Sequence, residues 1–182
     1  MSRARRKTSG APAALEIRIR RARLKDAAAL TRLALAAKRH WGYPPSWLRQ
    51  WRRELTLTPD YLRAHPVFAA FAGRRLVGFS ALVLRRRSAW LDHLWVRPRA
   101  MGRGVGRALF LHAERAALEA GAPRLRIEGD PHAEGFYLRM GARRAGRKSA
   151  AVDGVKRFLP LFEKPLAPRR PPVTSAPRPS PR

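Results

Sequence analysis

The sequence contains no cysteine. That absence removes disulfide bridges, thiolate zinc sites and any acyl-enzyme mechanism that passes through a cysteine, and it is compatible with a reducing compartment. Acidic residues are sparse: 12 Asp and Glu stand against 40 Lys and Arg, a formal net charge of +28 over 182 residues. Lysine is scarce as well. Only Lys7, Lys25, Lys38, Lys148, Lys156 and Lys164 occur, so most cations are Arg. Such a balance attracts polyanions of every kind, whether nucleic acid, an anionic membrane surface or a phosphorylated cofactor. The Arg are scattered and form no long block within the expected domain, which favours solvated faces over a dedicated nucleic-acid patch. Long apolar runs are missing too. The longest stretches, such as Val67 to Ala72, fall far short of a membrane span. The opening MSRARRKTSGAP lacks the apolar run of a secretory signal, and its Arg content leaves a transit peptide as the alternative to a short disordered arm. The expectation is a soluble, cytoplasmic protein that makes no membrane contact.

Hydrophobic residues make up 45% of the chain, enough for one sizeable core. From Ala167 onward the chain reads APRRPPVTSAPRPSPR, a Pro-rich segment with too few apolar side chains to offset its ordering entropy. The expected organisation is a basic disordered arm over 1–14, one domain over 15–166, and a disordered Pro/Arg-rich tail over 167–182. A PxxP-type ligand is the sharper reading of the tail.

Within the domain, Leu15 to Ala22 alternates apolar and basic residues as a half-buried strand does. Asp26 is placed to cap a helix through Ala27, Leu30, Leu33, Leu35 and Ala37, ending before Gly42. Ser46 is a candidate cap for a second helix over Trp47 to Glu54. Strands are expected over His65 to Ala72 and Arg75 to Leu84, joined at Gly73-Arg74, and again over Ser88 to Val96. Helical spacing runs from Gly104 to Ala120, with Gly121 ending it. A short strand (Leu125 to Glu128), a helix (Ala133 to Met140) and a last strand (Arg157 to Phe162) follow. Strands paired first as hairpins and then separated by helices imply a mixed α/β sheet with helices on its faces.

The chemistry concentrates between Leu91 and Ala142. A strand ends at Val96, Pro98 breaks it, and the turn MGRGVG (Met101 to Gly106) opens directly into the long helix. Gly102, Gly104 and Gly106 have no side chains to keep a ligand from the backbone. Free amides at a helix start, added to the helix dipole, form a site for a phosphate or pyrophosphate, and Arg99, Arg103 and Arg107 add charge. Neither familiar phosphate loop fits: there is no GxxxxGK followed by Ser or Thr, and GxGxG is not GxGxxG. Thirty residues on, GDPHAEGFYLRMGARRAG (Gly129 to Gly146) ends a strand at Asp130-Pro131 and presents Phe136 and Tyr137 on a short helix. No cluster of His, Asp and Glu has metal-ligand spacing, so no metal is expected.

This pair of segments resembles the Gcn5-related N-acetyltransferase (GNAT) family. In that family a Gln or Arg, two residues, and then Gly-x-Gly or Gly-x-Ala hold the pyrophosphate of acetyl-CoA. A later Asn-Ala, two residues, Phe-Tyr, three residues and Gly-Phe supply a helix beside the pantetheine. The resemblance runs from about Ile17 to Leu161 in the order of elements. Aligning Gly104-Val105-Gly106 with Gly-x-Gly puts Met101 where Gln or Arg is usual; aligning Gly102-Arg103-Gly104 instead uses Arg99. The first is preferred, because it starts the helix at Gly106-Arg107-Ala108-Leu109 as in relatives, and His132 stands for the usual Asn. The implied fold is a mostly antiparallel sheet with helices on both faces. The implied reaction is direct attack of an amine on the thioester of acetyl-CoA in a ternary complex. The implied cofactor site comprises Leu94, Trp95 and Val96 on the splayed fourth strand, the turn of Met101, Gly102, Arg103, Gly104, Val105, Gly106 and Arg107, and then His132, Phe136 and Tyr137.

Transfer needs a base for the amine, a donor for the oxyanion and an acid for the leaving thiolate. Tyr137 is the candidate acid, since a phenol near ~10 lies close to a thiol near ~8.5. Strand alternation puts Leu91, His93 and Trp95 on one face and Asp92, Leu94 and Val96 on the other, so only one of Asp92 and His93 faces the cleft. The resemblance favours Asp92, working through water, with His93 and Glu128 as the other candidate bases. The resemblance also places the acceptor site in KRHWGYPPSWLRQW, where His40, Trp41, Tyr43 and Trp47 are candidates for an aromatic wall. The acceptor is a small-molecule or peptide amine. A longer acyl-CoA, or a nucleic-acid- or ribosome-associated binding protein on the same scaffold, are the competing readings of the +28 charge and the motifs.

Overall fold

A computed structural model of the protein describes residues 16–166; the expected arm over 1–14 and tail over 167–182 lie outside these. Seven strands form one sheet in the order β1-β2-β3-β4-β5-β7-β6. They are β1 (Ile17–Arg21), β2 (Val67–Ala72), β3 (Arg75–Arg85), β4 (Ser88–Val96), β5 (Arg124–Glu128), β6 (Arg143–Val152) and β7 (Val155–Pro165). Every pairing is antiparallel except β4 with β5. The mixed α/β fold with a mostly antiparallel sheet and helices on both faces is the one expected.

Helices cover both faces because strand alternation makes both apolar. On one face α1 (Ala27–Arg39) buries Leu30, Leu33 and Ala34 against Ala69, Phe79 and Ala81. On the other, α4 (Val105–Glu119) buries Phe110, Ala113 and Ala117 against Leu82, Leu125 and Ile127, with Phe162 from β7. Phe79, Phe110 and Phe162 are almost wholly buried, each contributing about 2 kcal/mol by transfer from water. The short helices are α2 (Pro45–Gln50), α3 (Pro59–Ala64) and α5 (Glu134–Arg139).

Several local expectations change. Asp26 occupies the cap position of α1, but its carboxylate accepts from Arg20 (2.7 and 3.2 Å) and from the amide of Arg23 (2.7 Å) instead of capping the helix. The hydrogen bond from Arg20 holds its pKa below the usual range. The second helix begins at Pro45, not after Ser46, because Pro is favoured at the first helical position, and it stops at Gln50. Helix α3 was not expected, although Thr58 caps it by accepting from the Tyr61 amide. Strand β6 was not expected either, and β7 starts two residues earlier than Arg157 and runs on to Pro165.

The face assignment within β4 also changes. Ala81 faces His93 and Leu82 faces Leu91, so Asp92 is the extra residue of a β-bulge. Beyond such a bulge the alternation changes phase. Leu91 packs with Leu94 and Phe110 on the α4 side, whereas Trp95 packs with Phe79 on the α1 side. Leu91, His93 and Trp95 therefore do not share one face.

Candidate active site

Strand β4 pairs with β5 only over Ala89–Leu91. Beyond the Asp92 bulge, β4 leaves β5, and the sheet opens into a cleft of about 1100 Å³. Residues 90–96 line it, together with the start of α4, residues of α5, and Lys38, Trp41 and Trp51 from the α1–α2 segment. The cleft thus joins the two faces of the sheet.

Gly102, Gly104, Gly106, Arg107 and Met101 line the part of the cleft at the head of α4. Gly102 (φ 72°) and Gly104 (φ 84°) adopt left-handed conformations that other residues reach only with strain, and a β-carbon at either would meet nothing. Gly104 caps α4, and its carbonyl accepts from the Ala108 amide at 3.0 Å. The amides of Val105, Gly106 and Arg107 precede the first intrahelical bond and are free to donate to an anion. Val105 places its side chain in the core, fully buried, so only its amide is available to a ligand. Arg103 does not line the cleft; its Nε is buried without a partner.

Tyr137 and Phe136 both line the cleft from α5. Tyr137 is 6% exposed, its ring among Phe110, Phe136 and Phe162. Gly129, at the end of β5, makes room for it: a β-carbon there would lie 2.8 Å from Phe162 and 3.2 Å from Tyr137. Burial, then the charge of Asp130, pushes the Tyr137 phenol well above its ordinary pKa. His132 turns its ring onto Trp41, stacked at 5.0 Å, and donates its amide to Asp130 (3.1 Å).

The three candidate bases differ in what already holds them. His93 is buried. Its Nδ1 accepts from Trp95 Nε1 (3.0 Å) and its Nε2 faces Asp92 Oδ2 at 3.5 Å, so neither nitrogen is idle. Burial also draws its pKa down, against the pull of Asp92, which keeps it neutral. Glu128 is paired with Lys148, at 3.0 and 3.3 Å. Asp92 accepts from the Tyr61 hydroxyl at 2.5 Å through Oδ2, and its Oδ1 has no hydrogen-bond donor among the described residues. Tyr61 carries no signal in the sequence for this contact, which spans 31 positions.

The α1–α2 end of the cleft holds a network that the sequence did not reveal. Lys38 is buried and pairs with Asp130 Oδ2 at 2.5 Å. Tyr43 donates to Asp130 Oδ1 at 2.9 Å and accepts from Arg157 at 3.3 Å. Burial alone would raise the Asp130 pKa, but the Lys38 ammonium, together with the hydrogen bonds from the His132 amide and Tyr43, holds the carboxyl below its usual range. Burial pushes the Tyr43 phenol up to about 12. Trp41 lines the cleft; Tyr43 and Trp47 pack against Trp51 instead of lining it, and His40 is exposed beside Trp41. Partners 92 and 114 positions apart give no local pattern to read.

Among the described residues no three His, Asp or Glu gather as metal ligands, and no helix is long and apolar enough to cross a membrane. No curated protein sequence matches the chain. Solved structures match it in fold. A GCN5-related N-acetyltransferase from Rhodopseudomonas palustris is 20% identical with a TM-score of 0.70, over 87% of this chain and 100% of its own. The PaiA N-acetyltransferase of Thermoplasma acidophilum, solved in complex with coenzyme A, is 23% identical with a TM-score of 0.64, over 83% and 99%. YncA from Salmonella typhimurium, solved with its cofactor acetyl-CoA, is 17% identical with a TM-score of 0.62, over 87% and 98%. The sequence model of the acetyltransferase (GNAT) family matches residues 29–142, which take in the bulged strand, the glycine turn and the Tyr137 helix. The chain belongs to the GNAT family of acetyltransferases.

Proposed function

We propose that the protein transfers an acetyl group from acetyl-CoA to an amine by direct attack within a ternary complex. The observation that carries this reading is the single cleft between β4 and β5, with free helix-start amides at one part and a polar, aromatic-walled pocket at another. The amides of Val105, Gly106 and Arg107 hold the pyrophosphate, and the open turn at Gly102 and Gly104 lets it approach. The pantetheine runs along Leu94 to Val96, where β4 has no strand partner on its β5 side, and the strand's backbone polarises the thioester carbonyl. Phe136 packs beside the pantetheine.

Asp92, through Oδ1 or a water on it, takes a proton from the ammonium. The amine then attacks the carbonyl carbon, an oxyanion forms, and collapse breaks the C–S bond, with the second proton of the acylated nitrogen passing through water to the departing sulfur. Tyr137 donates a hydrogen bond to the sulfur as it leaves. His93 and Glu128 are weaker candidates for the base because Trp95 and Lys148 already engage them.

Acetyl-CoA is expected to raise the melting temperature, as any ligand confined to the folded state does. Gly104→Glu abolishes that rise by placing a carboxylate on the anion site, while Gly104→Ala bears the strain of φ 84° (about 1 kcal/mol) and retains it. A wild-type chain that shows no rise at millimolar acetyl-CoA would contradict the proposal.

A further inference from the structure

The aromatic cluster between α1, α2 and β7 has the composition of a cage for a cationic amine, because indole and phenol faces attract ammonium groups. Those faces are already occupied. The Lys38 ammonium lies 4.3 Å from the Trp51 ring centroid and 4.7 Å from that of Tyr43. The Arg157 guanidinium lies 4.9 Å from Trp51 and 5.2 Å from Tyr43. A further cation here would lie beside Arg157 and the Lys38 ammonium, of which only the second is neutralised by a carboxylate, an unfavourable arrangement.

The two resident cations differ in one respect. Lys38 is neutralised by Asp130, whereas Arg157 forms no ion pair among the described residues. Its hydrogen bond to the Tyr43 hydroxyl, at 3.3 Å, uses one of five N–H donors. The Trp51 and Tyr43 rings lie within about 5 Å of the guanidinium and hold it in place by cation–π attraction, and Arg157 lines the same cleft as Asp92.

We propose that Arg157 sets acceptor specificity by receiving the carboxylate of a small aminocarboxylate, an amino acid or close relative, whose amine is presented to the thioester on β4. The inference rests on the acetyltransferase reading above and deepens it. A planar guanidinium pairs bidentately with a planar carboxylate, and one uncompensated cation matches one carboxylate better than the double charge of a phosphate monoester. The strand that carries Arg157 is held in place from outside the cleft. Gln50 at the end of α2 hydrogen-bonds Asp153 in the turn between β6 and β7, tying together the two elements that flank Arg157.

The test is steady-state acetyl-CoA turnover by the full chain with amino acids of several chain lengths, their matched amino amides, and spermidine. Amino acids are expected to be acetylated with a KM roughly tenfold or more below that of their amides, with spermidine the poorest acceptor. Arg157→Gln raises the amino-acid KM by roughly 10- to 100-fold, leaves the amide KM unchanged and keeps the KM for acetyl-CoA within about twofold. Arg157→Lys recovers only part, because it keeps the charge and loses the fork. Preference for amides or spermidine, or an Arg157→Gln variant that loses both acceptor classes alike, overturns the proposal and leaves acetyl transfer standing. It is equally overturned if no amino acid is acetylated or adds to the stabilisation given by acetyl-CoA. Absence of that stabilisation in the wild-type chain strikes the acetyltransferase reading itself, and the carboxylate proposal falls with it.

Discussion

Desolvation decides what Tyr137 can contribute to acyl transfer. An ordinary phenol near ~10 is close enough to a thiol near ~8.5 for proton exchange in either direction. Burial and Asp130 move this phenol well above that value, so it stays protonated across the working range and becomes a poorer acid. The proposed role is correspondingly specific: the hydroxyl stabilises charge on the departing sulfur by donating a hydrogen bond, without surrendering its proton. Tyr137→Phe is then expected to lower kcat by on the order of 10²-fold, since one preorganised donor carries about that much. Acetyl-CoA affinity, read by calorimetry, changes little because the ring remains. Equal losses in kcat and affinity would assign Tyr137 to packing against Phe110 and Phe162 alone. The kcat profile is also expected to show no fall from Tyr137 as pH approaches ~10, since its raised pKa places that titration higher. The residue type and its place beside the cleft were legible in the Phe136-Tyr137 motif. Its shifted acidity was not, because Gly129, Phe162 and Asp130 meet it only in the fold.

Elements were legible where their apolar spacing is local. Strands β2 to β4 and helices α1 and α4 announce themselves through period and turn glycines, as the hairpin at Gly73-Arg74 shows. Strand β6 does not. Its residues from Arg143 to Ser149 are all exposed, so no alternation of burial marks them, and only pairing with β7 makes them a strand. The same limit hid the tie between α1 and the turn after β5, made by Lys38 and Asp130. Their side chains are 10% and 9% exposed. Removing one member of such a pair leaves a buried charge uncompensated, at a cost of about 3 kcal/mol. Lys38→Met and Asp130→Asn are each expected to lose about that much in urea denaturation. The double variant is expected to lose clearly less than the two losses added together, because it leaves neither charge alone. Strict additivity would mean that the two groups do not act as a pair. Acetyl-CoA stabilisation survives in all three variants if the anion site belongs to α4, on the opposite face of the sheet.

For the whole molecule, the charge excess calls for a physical consequence. The ends outside residues 16–166 carry eight of the 40 cations and none of the 12 acids, so the described part keeps a net charge of +20. A field of that sign extends beyond the cleft and draws an anionic cofactor from a distance, an effect on association rate that salt screens. Arg85, Arg86 and Arg87, at the turn between β3 and β4, are exposed and do not line the cleft. Replacing all three by Glu removes charge without touching the proposed ligand site. In stopped-flow measurements the association rate for acetyl-CoA is expected to fall roughly threefold at ~50 mM salt and to match the wild type at ~0.5 M, where the screening length is a few ångströms. The dissociation rate stays constant, because no contact is lost. An association rate indifferent to these charges at low salt would show that the cofactor responds only to cations beside the glycine turn, such as Arg107. The remaining excess would then have no part in capturing the cofactor.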